Sequence, residues 1–145
     1  MTDGDDAFQC WLMDMDDAID RLRRALPEAV GASLDFSPDS LAAIERFALG
    51  LYPTVQDAKR PEEAARIDGM ARYVGELFRK SLGGQWRIDF SDAKNAFHGL
   101  PQLVAMRGQR VQICPLTLVT ASLHRRTGRF LRLVFDNNLR DAGPA

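Results

Sequence analysis

The sequence lacks the short motifs that mark the commonest catalytic and cofactor sites. It has no Gly-x-Ser-x-Gly nucleophile motif. Its one pair of adjacent glycines, Gly83-Gly84, follows a predicted helix, whereas a phosphate-binding loop needs its glycines ahead of a helix. The pair therefore predicts a helix end. We expect a protein that is not an enzyme and that carries no cofactor or metal.

Cysteine and histidine are also scarce. The two cysteines, Cys10 and Cys114, form no Cys-x-x-Cys or Cys/His cluster, which argues against a zinc site. We expect both thiols to be buried as small apolar groups, with a disulfide between them as the alternative. Of the two histidines, His98 falls in a predicted loop. There we expect a hydrogen-bonding surface residue, with a general base as the alternative.

Long apolar runs are absent. No stretch approaches the about 20 residues of a membrane-spanning helix, and residues 1–6 are acidic where a signal peptide would be basic. We therefore expect a cytoplasmic protein with no membrane partner. The length of 145 residues and the lack of a linker rich in proline, glycine or serine predict a single domain over residues 1–145.

The two halves of the chain carry opposite charge. Residues 1–70 contain 7 Lys and Arg against 15 Asp and Glu, whereas residues 71–145 contain 12 against 5. We expect the acidic and basic surfaces to meet within the fold, between copies of the chain, or on a partner. Self-association through opposite charges would weaken as salt is added.

Hydrophobic periodicity predicts three helices in the N-terminal part of the chain. They cover residues 8–26, 38–52 and 61–82, and each is bounded by proline or glycine. Gly69 and Gly75 lie inside the third helix and weaken it by about 1 kcal/mol each. We expect another part of the chain to pack closely against the backbone there.

The pattern then changes to alternation. Trp86–Phe90 predicts a half-buried strand, and Leu103–Met106 and Arg110–Cys114 predict two further strands joined as a hairpin. Pro115 opens one or two C-terminal helices, with a bend expected at Gly128. The predicted fold class is α+β: three N-terminal helices, a small antiparallel sheet of about three strands, and one or two C-terminal helices.

One stretch resembles a group of uncharacterised small bacterial α+β proteins. In that group, a helix with an aromatic/aliphatic-Gly-Glu motif, here Val74-Gly75-Glu76, leads into a Gly-x-Trp strand, here Gly84-Gln85-Trp86. A hairpin and a proline-initiated helix follow, so the resemblance covers residues 61–126. It implies a fold and supplies no catalytic residues. It also implies a protein-binding role, as in immunity or accessory proteins to bacterial toxins.

Three functions therefore stay open. The first is a protein-interaction domain, such as an immunity or accessory protein to a bacterial toxin, whose contact face is formed by four acids of the first predicted helix: Asp14, Asp16, Asp17 and Asp20. The second is a nucleic-acid-associated regulator that uses the arginine-rich C-terminal half. The third is a small-molecule-binding domain or enzyme with a pocket between the third helix and the sheet. The residues expected in that pocket are Glu76, Trp86, Arg87 and His98.

Glu76 has two alternative environments. On an exposed helix face it would form ion pairs with Arg72 and Lys80, which lie four residues to either side. If it is buried beside Gly75, it would instead pair with Arg87 or with Arg107.

Overall fold

Residues 3–144 are described by a computed structural model, and they form eight α-helices, one 3₁₀ turn and two short strands. The helices are α1 (Asp3–Met13), α2 (Met15–Ala25), α3 (Glu28–Ser33), α4 (Pro38–Leu51), α5 (Val55–Ala58), α6 (Ala64–Leu82), α7 (Pro115–Arg125) and α8 (Phe130–Ala142). The 3₁₀ turn (Pro61–Glu63) precedes α6, and the strands are β1 (Gln85–Arg87) and β2 (Gln102–Val104). The chain is thus mostly helical, with one small antiparallel sheet.

The first predicted helix is two helices. The helix is interrupted at Asp14, between α1 and α2, although neither glycine nor proline lies there. The apolar stripe continues across the interruption, since Phe8, Met15 and Ile19 are all buried. Two short helices, α3 and α5, add to the three that were predicted in this part of the chain.

The long helix α6 is the centre of the fold. Residues 69–78 are all buried, because α2, α4, α7 and α8 pack around the helix. Gly69 allows α2 to approach α6 closely, because the side chain of Leu22 occupies the space that a larger residue at position 69 would need. The helix ends at Gly83, whose φ of 75° is the left-handed value that glycine adopts readily.

The sheet has two strands where about three were predicted. β1 pairs antiparallel with β2, with Trp86 opposite Leu103. The third predicted strand, Arg110–Cys114, makes only a single bridge from Ile113 to Leu103. Extended pairing stops because Ala105 has a φ of 60°, outside the range of a strand.

Two helices close the C-terminal part of the chain, as expected of the segment after Pro115. The turn between α7 and α8 contains Arg126, whose φ is 59°, and Gly128, where the bend was expected. The guanidinium of Arg126 donates to the carbonyl oxygens of Leu49 and Tyr52, which lie at the end of α4. It therefore satisfies carbonyl groups that a helix end leaves without partners.

The first turn of α8 is capped by a residue of another helix. Glu45 of α4 is only 1% exposed, and its carboxylate accepts hydrogen bonds from the backbone N–H groups of Phe130 (3.1 Å) and Leu131 (2.8 Å). A negative charge at a helix N-terminus also interacts favourably with the helix dipole. This contact joins α4 to α8 across more than eighty residues of sequence.

The two thiols differ in environment. Cys114 is buried, as expected, whereas Cys10 is exposed on α1, so the expectation for Cys10 is wrong. Both are free thiols, and the alternative of a disulfide between them is wrong as well. Among the described residues, no helix is both long enough and apolar enough to cross a membrane.

Replacing the capping carboxylate tests how far α8 depends on α4. We expect Glu45→Ala to lower the free energy of unfolding by about 3 kcal/mol, because two buried N–H groups lose a charged acceptor. Urea denaturation measures the change. The control is Glu62→Ala, which removes an exposed carboxylate and should change stability by less than about 0.5 kcal/mol. Equal stability of the two variants would contradict the capping role.

Candidate functional site

A cleft with mostly apolar walls lies beside α6, between α5 and α7. Its volume is about 360 Å³. We call it the tryptophan cleft. It is lined chiefly by Trp11, Trp86, Ile67, Ala71, Pro115 and Leu116, with Lys59, Arg60, Asp68 and Thr120 as its polar members. The lining thus combines residues of α1, α6, β1 and α7.

The two tryptophans form one wall of the cleft. Their rings meet edge to face with centroids 5.0 Å apart. Trp86 approaches the backbone of α6 at Gly75, where a Cβ atom would overlap the indole ring and lie 2.9 Å from Pro115 Cγ. The close packing expected from Gly75 is therefore present, and Trp86 is the residue that makes it.

Trp11 is held by a buried arginine. Arg72 is 4% exposed, and its guanidinium lies 4.2 Å from the centroid of the Trp11 ring. The same group donates to the carbonyl oxygen of Trp11 at 2.7 Å and to Asp68 at 2.6 Å. Asp68 in turn accepts a hydrogen bond from Trp11 Nε1 at 2.8 Å. The three residues thus form a closed set of contacts that joins α1 to α6.

Trp86 is held by a buried carboxylate. Glu76 is 5% exposed; its Oε1 accepts a hydrogen bond from Trp86 Nε1 at 3.1 Å, and its Oε2 accepts one from Arg79 at 2.9 Å. The buried alternative for Glu76 is therefore the correct one. The partners predicted for it, Arg87 and Arg107, are wrong, because Arg79 on the next turn of α6 pairs with it instead.

The four residues predicted to share a pocket are only partly together. Glu76 and Trp86 are in contact, and Trp86 lines the tryptophan cleft. Arg87 is exposed at the end of β1, and neither it nor His98 lines the cleft. His98 lies against the ring of Phe90, and its Nδ1 atom is buried without a hydrogen-bond partner among the described residues. His98 was expected to be a hydrogen-bonding surface residue, and this expectation is wrong for its Nδ1 atom.

Of the four predicted contact acids, Asp14 separates α1 from α2, and the other three lie on α2. Asp14 pairs with Arg21 at 2.5 Å, and this hydrogen bond holds the pKa of the Asp14 carboxyl below its usual value. Asp20 pairs with Arg23 at 3.2 Å. Asp16 and Asp17 are exposed, and neither forms an ion pair within the part of the chain that the structure describes.

Several arginines of the basic C-terminal half already have partners within the fold. Arg107 donates to the carbonyl oxygens at the end of α8, and Arg126 donates to those at the end of α4. Arg132 reaches a distant acid, Asp39, as well as Asp136 on its own helix. The two charged halves therefore meet within the fold at Asp39, and nucleic-acid binding by the basic half stays a prediction.

Sequence reasoning missed three central residues of this site: Trp11, Asp68 and Arg72. The spacing of Trp11 predicts only that the residue lies on the apolar stripe of the first helix. It does pack against the core, but the spacing does not indicate its contacts with Asp68 and Arg72. One of the two alternatives for Glu76 paired it with Arg72, but Arg72 pairs with Asp68 four residues earlier. The available signal was the equal spacing of two acids around one arginine, which by itself does not choose between them.

Comparison with protein-family models, with curated proteins and with solved structures finds no match to this chain. Within residues 3–144, no three side chains of His, Cys, Asp or Glu are grouped so that they could hold a metal ion. The tryptophan cleft is therefore interpreted from its own geometry.

Adding one methyl group at Gly75 tests the packing of Trp86. We expect Gly75→Ala to lower the free energy of unfolding by about 2–3 kcal/mol, because the new Cβ overlaps the indole ring. The displaced ring should also shift tryptophan emission to longer wavelength. Chemical denaturation and fluorescence measure both effects.

Gly50→Ala is the matched control, because nothing lies within 4 Å of a Cβ atom there and the residue is in α4. It should raise stability by up to about 1 kcal/mol. A Gly75→Ala protein as stable as the Gly50→Ala protein would show that the contact with Trp86 is not close.

Proposed function

We propose that this protein is a non-enzymatic binding domain that holds a small molecule with an apolar body in the tryptophan cleft. The observation that carries the proposal is the cleft itself, an open space of about 360 Å³ bordered by two indole rings and by aliphatic side chains of α6 and α7. Small-molecule sites typically have volumes of about 300–1,000 Å³, apolar walls and a few polar groups.

The walls are fixed before any ligand arrives. Trp11 is held by Arg72 and Asp68, and Trp86 is held by Glu76 and by its packing on Gly75. Side chains that are already ordered lose little conformational entropy on binding, which favours affinity. The rigid aromatic wall therefore supports a binding role.

The polar groups support binding more than catalysis. Asp68, the carboxylate of the cleft, is already bound by Trp11 and Arg72. The described lining contains no histidine, cysteine or serine that would act as a base or nucleophile. A ligand would thus find an apolar surface with charges at its edge.

Filling the cleft tests the proposal. Ala64 is exposed on α6 and lines the cleft, so Ala64→Phe places a ring inside it with little effect on the core. The probe is 1-octanol, followed by tryptophan emission, because the only two tryptophans of the chain both line the cleft. We expect saturable binding to the unaltered protein and affinity weaker by at least about tenfold in the variant, a loss of roughly 1.4 kcal/mol.

Ala65→Phe provides the control. Ala65 is also exposed on α6 but does not line the cleft, so its replacement should leave octanol binding unchanged. Two results would contradict the proposal: no saturable response of the unaltered protein, or equal loss of binding in the two variants.

The second candidate function is protein binding by the surface around Asp14, where α1 meets α2. Met13 is 84% exposed there, close in sequence to the exposed and unpaired Asp16 and Asp17. Exposed methionine is frequent at protein-binding surfaces, and the acids would favour a basic partner such as a bacterial toxin. This arrangement supports an immunity or accessory protein.

The double variant Asp16→Asn/Asp17→Asn tests the second candidate. In pull-downs from native lysate at low salt, we expect the unaltered protein to retain one basic protein in stoichiometric amount and the variant to retain much less of it. Asp92→Asn, which changes an exposed loop acid elsewhere, should behave like the unaltered protein. Failure of the unaltered protein to retain any stoichiometric partner would count against this role.

A further inference from the structure

A basic groove adjoins the tryptophan cleft. It runs between α5 and α7, has a volume of about 450 Å³, and is lined by Val55, Lys59, Thr117, Thr120, His124 and Arg125, with Ala121 beside them. Lys59 and Thr120 line both the groove and the cleft, so the two spaces meet at these residues. One ligand can therefore extend from the apolar space into the basic one.

Both charged residues that line the groove, Lys59 and Arg125, are cations. Lys59, His124 and Arg125 are exposed, and its lining contains no carboxylate. Lys59 and His124 have no ion-pair partner in residues 3–144, and Arg125 lies over the ring of Phe130 at 4.9 Å instead of on an acid. These donors are left available to an anion.

Two nearby negative features do not cancel this charge. The last turn of α7 carries about half an elementary negative charge, which is less than the charge of Lys59 and Arg125 together. Asp68 faces the cleft, but the guanidinium of Arg72 compensates it at 2.6 Å. Among the residues that line the cleft and the groove, three cations, Lys59, Arg60 and Arg125, outnumber the one carboxylate, Asp68.

We infer that the ligand of the tryptophan cleft is an amphiphilic anion, with its apolar part in the cleft and a carboxylate or phosphate group in the basic groove. This inference rests on the proposed small-molecule role and adds the chemical class of the ligand. Two observations support the inference: the positive charge of the groove complements an anionic group, and the apolar walls of the cleft complement an apolar one.

Matched eight-carbon probes test the inference through tryptophan emission: 1-octanol, octylammonium, octanoate and octyl phosphate, with inorganic phosphate as the head group alone. We expect octanoate or octyl phosphate to bind about tenfold more tightly than 1-octanol, and octylammonium to bind more weakly than 1-octanol. Added salt should weaken the binding of the anions and leave that of 1-octanol unchanged. The two anions together show whether a carboxylate or a phosphate is preferred.

Two charge-removing variants locate the anionic group. Arg125 lines only the groove, so Arg125→Gln should weaken octanoate binding by about fivefold, as expected for loss of one exposed charge contact, and should not affect 1-octanol. Lys59 lines both spaces, so its variant is judged by the ratio of the octanoate affinity to the 1-octanol affinity, which Lys59→Gln should lower by about fivefold. Lys94→Gln and Arg24→Gln remove exposed charges that line neither space, and they should change nothing.

The outcomes separate this inference from the function on which it rests. Equal binding of 1-octanol and octanoate, unaffected by Lys59→Gln, would overturn the anionic class and leave the small-molecule role intact. Inorganic phosphate binding as tightly as octyl phosphate would show a simple anion site and overturn the amphiphile. Binding of none of the eight-carbon probes would overturn both proposals.

Discussion

The buried guanidinium of Arg72 connects the N-terminal helix to the rest of the molecule. Removing an arginine from water is costly unless every donor finds an acceptor, and here Asp68 and the carbonyl oxygen of Trp11 accept while the indole face covers the charge. Asp68 also accepts a hydrogen bond from the indole N–H of Trp11, so each of the three residues is bonded to the other two. If Arg72 lost these contacts, α1 would lose its main polar attachment and the tryptophan cleft would lose a wall.

The longer helices were predictable where proline or glycine marks their ends. The helices α4, α6 and α7 start after or at a proline, and Gly83 ends α6, so local backbone chemistry determines those boundaries. The six-residue α3 also follows a proline, Pro27, but is too short to show a hydrophobic period and was not predicted. The interruption at Asp14 carries no proline or glycine signal. The loss of the third strand depends on the left-handed conformation of Ala105, which an alanine adopts only when its surroundings impose it.

The candidate site was predictable to the extent that it depends on close backbone packing. Gly75 indicated that a neighbour approaches α6, and Trp86 and Glu76 do meet there. Arg87 was misplaced because it follows Trp86 along β1, and neighbouring residues of a strand face opposite sides of the sheet. His98 was misplaced because its position depends on the loop after β1, whose path no local pattern specifies. Tertiary contacts across distant parts of the chain place the remaining walls, and spacing along one helix carries no information about them.

The cap that Glu45 supplies to α8 has a consequence for the order in which the protein folds. Until residues 130 and 131 have been synthesised, the carboxylate of Glu45 has no backbone donors to accept from, and burying it would be costly. A nascent chain that carries α4 without α8 therefore gains little by closing its core around that position. Closure of the core around Glu45 therefore waits for α8, and this part of the chain is exposed to chaperones and proteases until α8 has been synthesised.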